Sequence, residues 1–328
     1  MILSPSRTTV SLVCLVTVAL GVIAPCQAKT AKHIGIAGGV RLAEFDWSIA
    51  GRSDGTNPNV LSELTWTNLV IFDFHGAGDL GFLDDRLVLA GSLGFGVFSN
   101  GDVQDSDYKS DDRTDEYSRS HASNLDDFVA DAALSLGYQW TGGKTRSMDQ
   151  DFPSVRRRLL LQAGVSWNEQ RLRMTDGVQV LSRPDLEPDV PPEGPFGGLD
   201  STFQARWVGL WVGVEFEHRV GRRSQILAEL EMHWPDYDAT ANWNLRSDFA
   251  HPVSFEQSAD GQGYVLVLGW KATESKISGL QVCFRAESWR TDPGIDRTFL
   301  ADGDQWETRL NEVDWRSALL SVGWRWGP

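Results

Sequence analysis

Long apolar runs are almost missing from this chain of 328 residues. The one apolar stretch of helical length, Val10 to Ile23, lies at the start and has 14 residues. A transmembrane helix needs about 20 such residues. A bundle of membrane helices is therefore excluded, in agreement with a mean hydropathy of −0.27.

Cysteine and positive charge are scarce as well. Two of the three cysteines lie in the first 28 residues, so Cys283 is left to form no intramolecular disulfide. Acidic residues outnumber basic ones by 45 to 30, which gives a formal net charge of −15. Nucleic-acid binding requires the opposite sign, because it is driven by neutralisation of phosphates. We therefore expect no nucleic-acid partner.

The N-terminus has the parts of a secretory signal peptide. One basic residue precedes the apolar run, and Cys26-Gln27-Ala28 offers small residues where a signal peptidase cuts. We predict a signal peptide over residues 1–28 and one mature domain over residues 29–328. A lipoprotein signal with an acylated cysteine is the alternative, but Pro25 stands where such signals carry a small residue.

A period of two residues recurs through the mature chain and predicts β-strands. From Phe128 to Trp140, apolar side chains occupy every second position, and the positions between them are mostly polar or small. Ten such segments are present, and their apolar faces end in tryptophan or tyrosine. No helical period, second domain or internal repeat is visible.

This alternation, with aromatic residues at the ends of the apolar faces, is typical of a transmembrane β-barrel. Every backbone group must be paired in lipid, so such a sheet must close. We predict an all-β fold: a ten-stranded antiparallel barrel in a Gram-negative-type outer membrane. Short connections are expected near residues 79–85, 218–223 and 271–278. Long polar outer loops are expected near residues 45–62, 100–124, 172–202, 235–258 and 290–311.

The densest acidic segment runs from Asp102 to Glu116 and contains Asp105 and Asp107. Two carboxylates at i and i+2 point the same way if the strand continues through them. Such a pair can share a proton or hold a water molecule. A solvated acidic loop or a divalent-ion site is the more common meaning of this spacing taken alone.

Over most of the mature chain, the sequence resembles the omptin family of outer-membrane proteases, which are ten-stranded barrels. The resemblance rests on SELTW at residues 62–66, TDEYSR from Thr114, LQAG at residues 161–164, and the order of several shorter segments. It implies that Asp105 and Asp107 are the first aspartate pair of an aspartic-type endopeptidase site and position the attacking water. It implies neither a metal ion nor an organic cofactor.

The second half of the family's site is where this chain departs. Aligned from either side, the family's Asp-Glu-His segment falls on Ala241, Asn242 and Trp243. Neither Ala241 nor Trp243 can take a proton from water, which a general base must do. The titratable side chains nearby that could substitute are His233, His251, Asp236 and Asp238.

A second feature of the family survives as Trp167-x-Glu169-x-Arg171 at the top of a strand. The resemblance implies that this triad docks a phosphate of lipopolysaccharide on the outer wall, where the lipid could act as a bound activator. An arginine fork suits phosphate, and the aromatic ring suits the acyl boundary. The alternative interpretation is a girdle tryptophan beside an ion pair.

Three functions stay open from the sequence. The first is an omptin-like outer-membrane barrel with a degenerate protease site and a role in surface interaction or envelope structure. The second is an active omptin-type endopeptidase, whose acidic mouth would favour basic peptides. The third is a small porin, although ten strands leave little room for a channel. Charged residues expected to face the lumen, pair and plug it are Glu215, Glu229, Glu231, Arg285 and Glu287.

Overall fold

The computed structural model describes residues 32–144, 155–220, 223–275 and 278–327. The predicted signal peptide, residues 1–28, lies outside the described residues. Within the described part of the chain, no helix is long and apolar enough to span a membrane.

The described residues contain thirteen β-strands, joined by turns and loops. In chain order they are β1 (Lys32–Ile49), β2 (Ser62–Phe82), β3 (Leu87–Ser110), β4 (Thr114–Asn124), β5 (Phe128–Lys144), β6 (Val155–Ser182), β7 (Gly194–Pro195), β8 (Ser201–Arg219), β9 (Ser224–Asn242), β10 (Phe255–Ser275), β11 (Ser278–Thr291), β12 (Gly294–Phe299) and β13 (Gln305–Trp326).

Twelve of these strands occupy ten antiparallel positions in a closed ring, and β7 pairs only with β6, beyond the end of the β6–β8 pairing. β4 and β5 share one position, because both pair with β3 and β6. β11 and β12 share another position between β10 and β13. β13 pairs with β1 along almost its whole length, which closes the sheet. The predicted ten-stranded all-β barrel is confirmed.

The strands are longer than the sequence indicated. β3 has 24 residues and β6 has 28, whereas about 9–11 residues suffice to cross a membrane. The prediction of long loops was therefore wrong over much of its extent. Residues 100–124, for example, belong almost entirely to the outer part of β3 and to β4. These two strands pair as a hairpin and are joined by a short turn.

A reversal in the alternation explains this difference. In the membrane band, apolar side chains point outward to lipid, and Ile34, Leu93 and Leu210 are among the most exposed. Above the band the outer face meets water, so its residues are polar, as Glu44 is, while the inward residues become apolar, as Phe45 is. A polar outer face resembles a loop when only composition is considered.

Aromatic rings close the lumen in its outer half. Phe45 of β1 and Phe203 of β8 are fully buried, and their ring centroids lie 5.5 Å apart. β1 and β8 are five positions apart in a ring of ten, so this contact crosses the whole barrel. Trp66, Trp315 and Phe255 pack around the two rings. We call these five aromatic residues the plug.

The charged side chains expected to face the lumen do so below the plug, and they are paired. Arg285 forms ion pairs with Glu287 and Glu231. Glu215 lies 2.8 Å from an arginine nitrogen of β6. Glu229 accepts a hydrogen bond of 2.6 Å from a glutamine amide. Pairing of this kind is what allows charges to be buried inside a membrane-spanning barrel.

We expect this barrel to conduct no ions, because the plug fills its outer half from wall to wall. Purified protein in a planar lipid bilayer should give no conductance steps. The double variant Phe45→Ala, Phe203→Ala removes two rings that meet across the lumen and should produce brief openings. Truncation of Trp306, which is exposed outside the lumen, is the matched control and should change nothing. Steady conductance by the unmodified protein would contradict the closed lumen.

Candidate functional site

Two aspartates lie beyond the plug on the inner face of β3. Asp105 and Asp107 share the face that carries Val103, which is buried in the apolar core. β3 continues through both residues and pairs with β2 and β4 on either side. The two carboxyl groups therefore point to the same side, as the i, i+2 spacing predicted.

Burial and proximity make this pair hold a proton tightly. Desolvation raises the pKa of Asp105 well above its usual range, and the neighbouring Asp107 raises it further. Desolvation also raises the pKa of Asp107, but hydrogen bonds from the hydroxyls of Ser62 and Ser118 oppose that shift. Asp107 is thus the member better able to carry the negative charge.

A guanidinium group and a phenol complete the surroundings of the pair. The positive charge of Arg246 lowers the pKa of both aspartates, and both aspartates in turn raise the pKa of Tyr117 on β4, where desolvation is the largest cause. We call Asp105, Asp107, Tyr117 and Arg246 the outer cleft. Sequence reasoning missed Arg246, because it lies in a polar connection without a motif. Tyr117 was named only as part of the TDEYSR segment.

Arg246 is held in place by its own loop. Its Nε and Nη2 atoms donate to the two carboxylate oxygens of Asp248 at 2.9 and 2.8 Å. Its guanidinium carbon lies 4.1 Å from the ring centroid of Phe249, and its backbone N–H donates to the Trp243 carbonyl. These contacts orient the Arg246 side chain, which is nonetheless 54% exposed.

The residues aligned with the family's Asp-Glu-His segment bring no acid or base to the outer cleft. Ala241 is 3% exposed and belongs to the apolar core. The Trp243 ring packs edge-on against Phe255, with centroids 4.8 Å apart. The space that a base and its orienting acid would need is therefore used for apolar packing.

Three of the four substitute residues are separated from the outer cleft by the plug or by the barrel wall. His233 is buried in the lumen, where its ring nitrogens lie 3.0 Å from Ser166 Oγ and 2.9 Å from Glu231 Oε2. Asp236 and Asp238 are exposed on the outward face of β9.

His251 alone of the four lies beside the aligned segment. Its Nδ1 atom is 2.7 Å from the Asn242 side-chain oxygen, and the residue is exposed on the connection between β9 and β10. His251 is therefore the substitute that contacts the aligned segment directly.

Trp167, Glu169 and Arg171 follow one another on the outward face of β6, as predicted. Gln204 of β8 donates a hydrogen bond of 2.8 Å to Glu169. Arg171 makes two long contacts. Its Nε atom lies 3.9 Å from a carboxylate oxygen of Asp127, and its guanidinium carbon lies 5.2 Å from the ring centroid of Phe128. The triad is assembled at the upper edge of the membrane band, and its lipid-binding role remains a prediction.

The raised pKa of Asp105 has a consequence for stability. Ionisation of a carboxyl group with a raised pKa costs the folded state more than the unfolded state, so stability is lost as the pH rises through the folded-state pKa. We expect Asp105→Asn to raise the urea midpoint at pH 8 and to change it little at pH 4. An equal shift at both pH values would show that Asp105 is not desolvated. Asp185→Asn, on an exposed loop, is the control.

The fold is shared with a known outer-membrane protein. The OmpT protease of Escherichia coli superposes with a TM-score of 0.67 at 10% sequence identity, over 91% of this chain and 97% of that chain. OprG of Pseudomonas aeruginosa gives a TM-score of 0.32 at 11% identity, over 92% and 98% of the two chains. No curated protein matches the chain by sequence. The resemblance to omptins is thus confirmed at the level of the barrel.

The sequence itself matches one family model. That model, described as Protochlamydia outer membrane protein (Pom), matches residues 35–325, which is nearly the whole described barrel. The closed ring, the lipid-facing apolar band and this match together establish an outer-membrane β-barrel. The chain belongs to the Protochlamydia outer membrane protein family.

Proposed function

We propose that this protein is a non-proteolytic outer-membrane barrel whose outer cleft binds basic peptide segments without cleaving them. One observation carries the proposal: the aspartate pair is assembled, while Ala241 and Trp243 pack apolar groups where a base and its orienting acid would be needed. Activation of water requires a titratable group within hydrogen-bond reach. The outer cleft therefore supports recognition better than catalysis.

The charge of the aspartate pair sets the ligand class. Asp105 and Asp107 are desolvated carboxyl groups, and a cationic side chain from a ligand would stabilise their ionised form. Arg246 already provides part of that stabilisation from within the chain. A basic ligand must compete with it, so binding should be modest and should strengthen as the pH rises and the pair ionises.

An active endopeptidase is the second candidate, and His251 is the observation that favours it. Its ring bonds to Asn242, the middle residue of the segment aligned with Asp-Glu-His. A hydrogen-bonded amide can orient an imidazole but cannot stabilise its protonated form as a carboxylate does. Any activity through His251 should therefore be far below that of a site with an aspartate in this role.

Binding of lipopolysaccharide at the outer wall is part of the proposal. Trp167 follows the lipid-facing Leu161 and Val165 along β6, and Arg171 lies further along the same outward face with 44% of its side chain exposed. Arg206 faces Glu169 across the β6–β8 pair and adds a second cation. Two guanidinium groups above an aromatic ring suit a lipid phosphate.

The first test is proteolysis. The refolded protein with lipopolysaccharide should cleave a dibasic peptide at background rate. The double variant Ala241→Asp, Trp243→His should raise the rate, and each single variant should do much less, because a base and its orienting acid act as a unit. Trp243→Ala is the control for a cleft that is merely widened.

Robust cleavage by the unmodified protein that is lost in both Asp105→Ala and His251→Ala would establish the second candidate and end the first. Since Ala241 is buried among apolar groups, folding of each variant should be checked by the shift in gel mobility on boiling.

The second test addresses the lipid. Arg171→Ala should weaken lipopolysaccharide binding by about 1–3 kcal/mol, the cost of losing a charge-assisted hydrogen bond. Arg183→Ala is the matched control, because Arg183 is also exposed and paired with an aspartate but lies on an outer loop. If both variants bind as the unmodified protein does, Trp167 is a girdle residue only.

A further inference from the structure

Among the described residues, the periplasmic end of the lumen forms a concave mouth. In outer-membrane barrels the short turns face the periplasm, and here the short turn at residues 83–86 marks that end. A cavity of about 790 Å³ opens there, below the plug, and its wall includes Arg158, Glu217, Lys271 and Arg325. Cavities of this size take small-molecule ligands.

The sign of the charge is reversed at this mouth. Among the described residues that line the cavity, six are arginine or lysine and four are aspartate or glutamate. In the whole chain acids exceed bases by 45 to 30. A basic cavity in an acidic protein focuses anions toward itself.

Three cations from three strands converge on one carboxylate inside this cavity. Lys271 of β10 donates a hydrogen bond to Glu217 Oε1. Arg158 of β6 has its Nη1 atom 3.3 Å from Glu217 Oε2, and Arg325 of β13 has its Nη1 atom 3.8 Å from Glu217 Oε1. Glu217 is thus shared by three cations, and other carboxylates contribute to their neutralisation.

The further acidic neighbours satisfy the two arginines only in part. Arg158 also contacts Glu215, and Arg325 also contacts Asp79, both at 2.8 Å. The Arg325 side chain is nonetheless 24% exposed and that of Arg158 is 17% exposed. Each guanidinium group has five N–H donors, so donors remain that can reach a ligand in the cavity.

We propose that this cavity is a binding site for a phosphate-bearing small molecule that enters from the periplasm. A phosphate carries up to two negative charges and three acceptor oxygens, which suits donors that arrive from three strands better than a second carboxylate would. Glu217 holds the three cations together when the site is empty and competes with the ligand when it binds. The site is independent of the outer cleft, from which the plug separates it.

The test uses pyrophosphate as the probe and the full mature barrel in nanodiscs of phosphatidylcholine, which leave both faces accessible. Isothermal titration should show saturable binding that weakens as sodium chloride is added. The double variant Lys271→Gln, Arg325→Gln should weaken binding by at least roughly tenfold. Arg297→Gln, which removes a paired arginine on the outer side, should leave the affinity unchanged.

A third variant should change the affinity for pyrophosphate in the opposite direction. Glu217→Gln removes the competing carboxylate and should tighten pyrophosphate binding several-fold, which a purely structural role for Glu217 would not do. Glu217→Gln also keeps the proposal testable if the double variant fails to fold. The proposal is overturned if the unmodified protein gives no saturable heat at millimolar pyrophosphate, or if Glu217→Gln binds no more tightly.

Varying the lipid composition of the nanodisc tests whether the phosphate group belongs to a lipid or to a soluble compound. If lipid headgroups of the periplasmic leaflet fill the cavity, replacing part of the phosphatidylcholine with phosphatidylglycerol should lower the apparent affinity for pyrophosphate. An unchanged affinity would identify a soluble phosphate compound as the ligand. The enclosure of the cavity by the barrel wall favours the soluble compound.

Discussion

Closure of the backbone hydrogen-bond ladder is the constraint on which the rest of this structure depends. Lipid offers no partner for an exposed amide, so the sheet must return upon itself, and β13 does so by pairing with β1. Closure at ten strands fixes the width of the lumen. That width is small enough for Phe45 and Phe203 to meet across it, so the same constraint that places the protein in the membrane also allows a few aromatic residues to seal it.

The plug divides the interior into two chambers with different chemistry. The outer cleft faces the outside with a desolvated aspartate pair and a guanidinium group. The described lining of the inner cavity has more basic than acidic residues, and three of its cations meet at Glu217. The positive charge of Arg246 lowers the pKa of the aspartate pair in the outer cleft, and Glu217 pairs with the cations of the inner cavity. A basic ligand of the outer cleft must therefore compete with Arg246, and a ligand of the inner cavity must displace or share an existing ion pair.

The barrel fold is shared with the OmpT protease, while positions 241 and 243 of this chain carry neither an acid nor a base. A barrel wall is stabilised by its ladder, its lipid-facing band and its plug, and none of these depends on an acid or a base at position 241 or 243. Ala241 lies in the apolar core, and Trp243 adds an edge-on contact with Phe255. Apolar residues at these two positions are compatible with stability, because they leave no buried polar group in need of a partner.

The sequence by itself determined the ten positions of the closed antiparallel barrel, the short turns, the shared face of Asp105 and Asp107, and the outward line of Trp167, Glu169 and Arg171. All of these follow from a period of two, which is a local property of the chain. Only the tertiary structure decided where the strands end, how the lumen is sealed, that Arg246 acts on the aspartate pair, and that three cations meet at Glu217. These features join residues far apart in the chain, and no local pattern specifies which side chains a closed barrel will bring together in its interior.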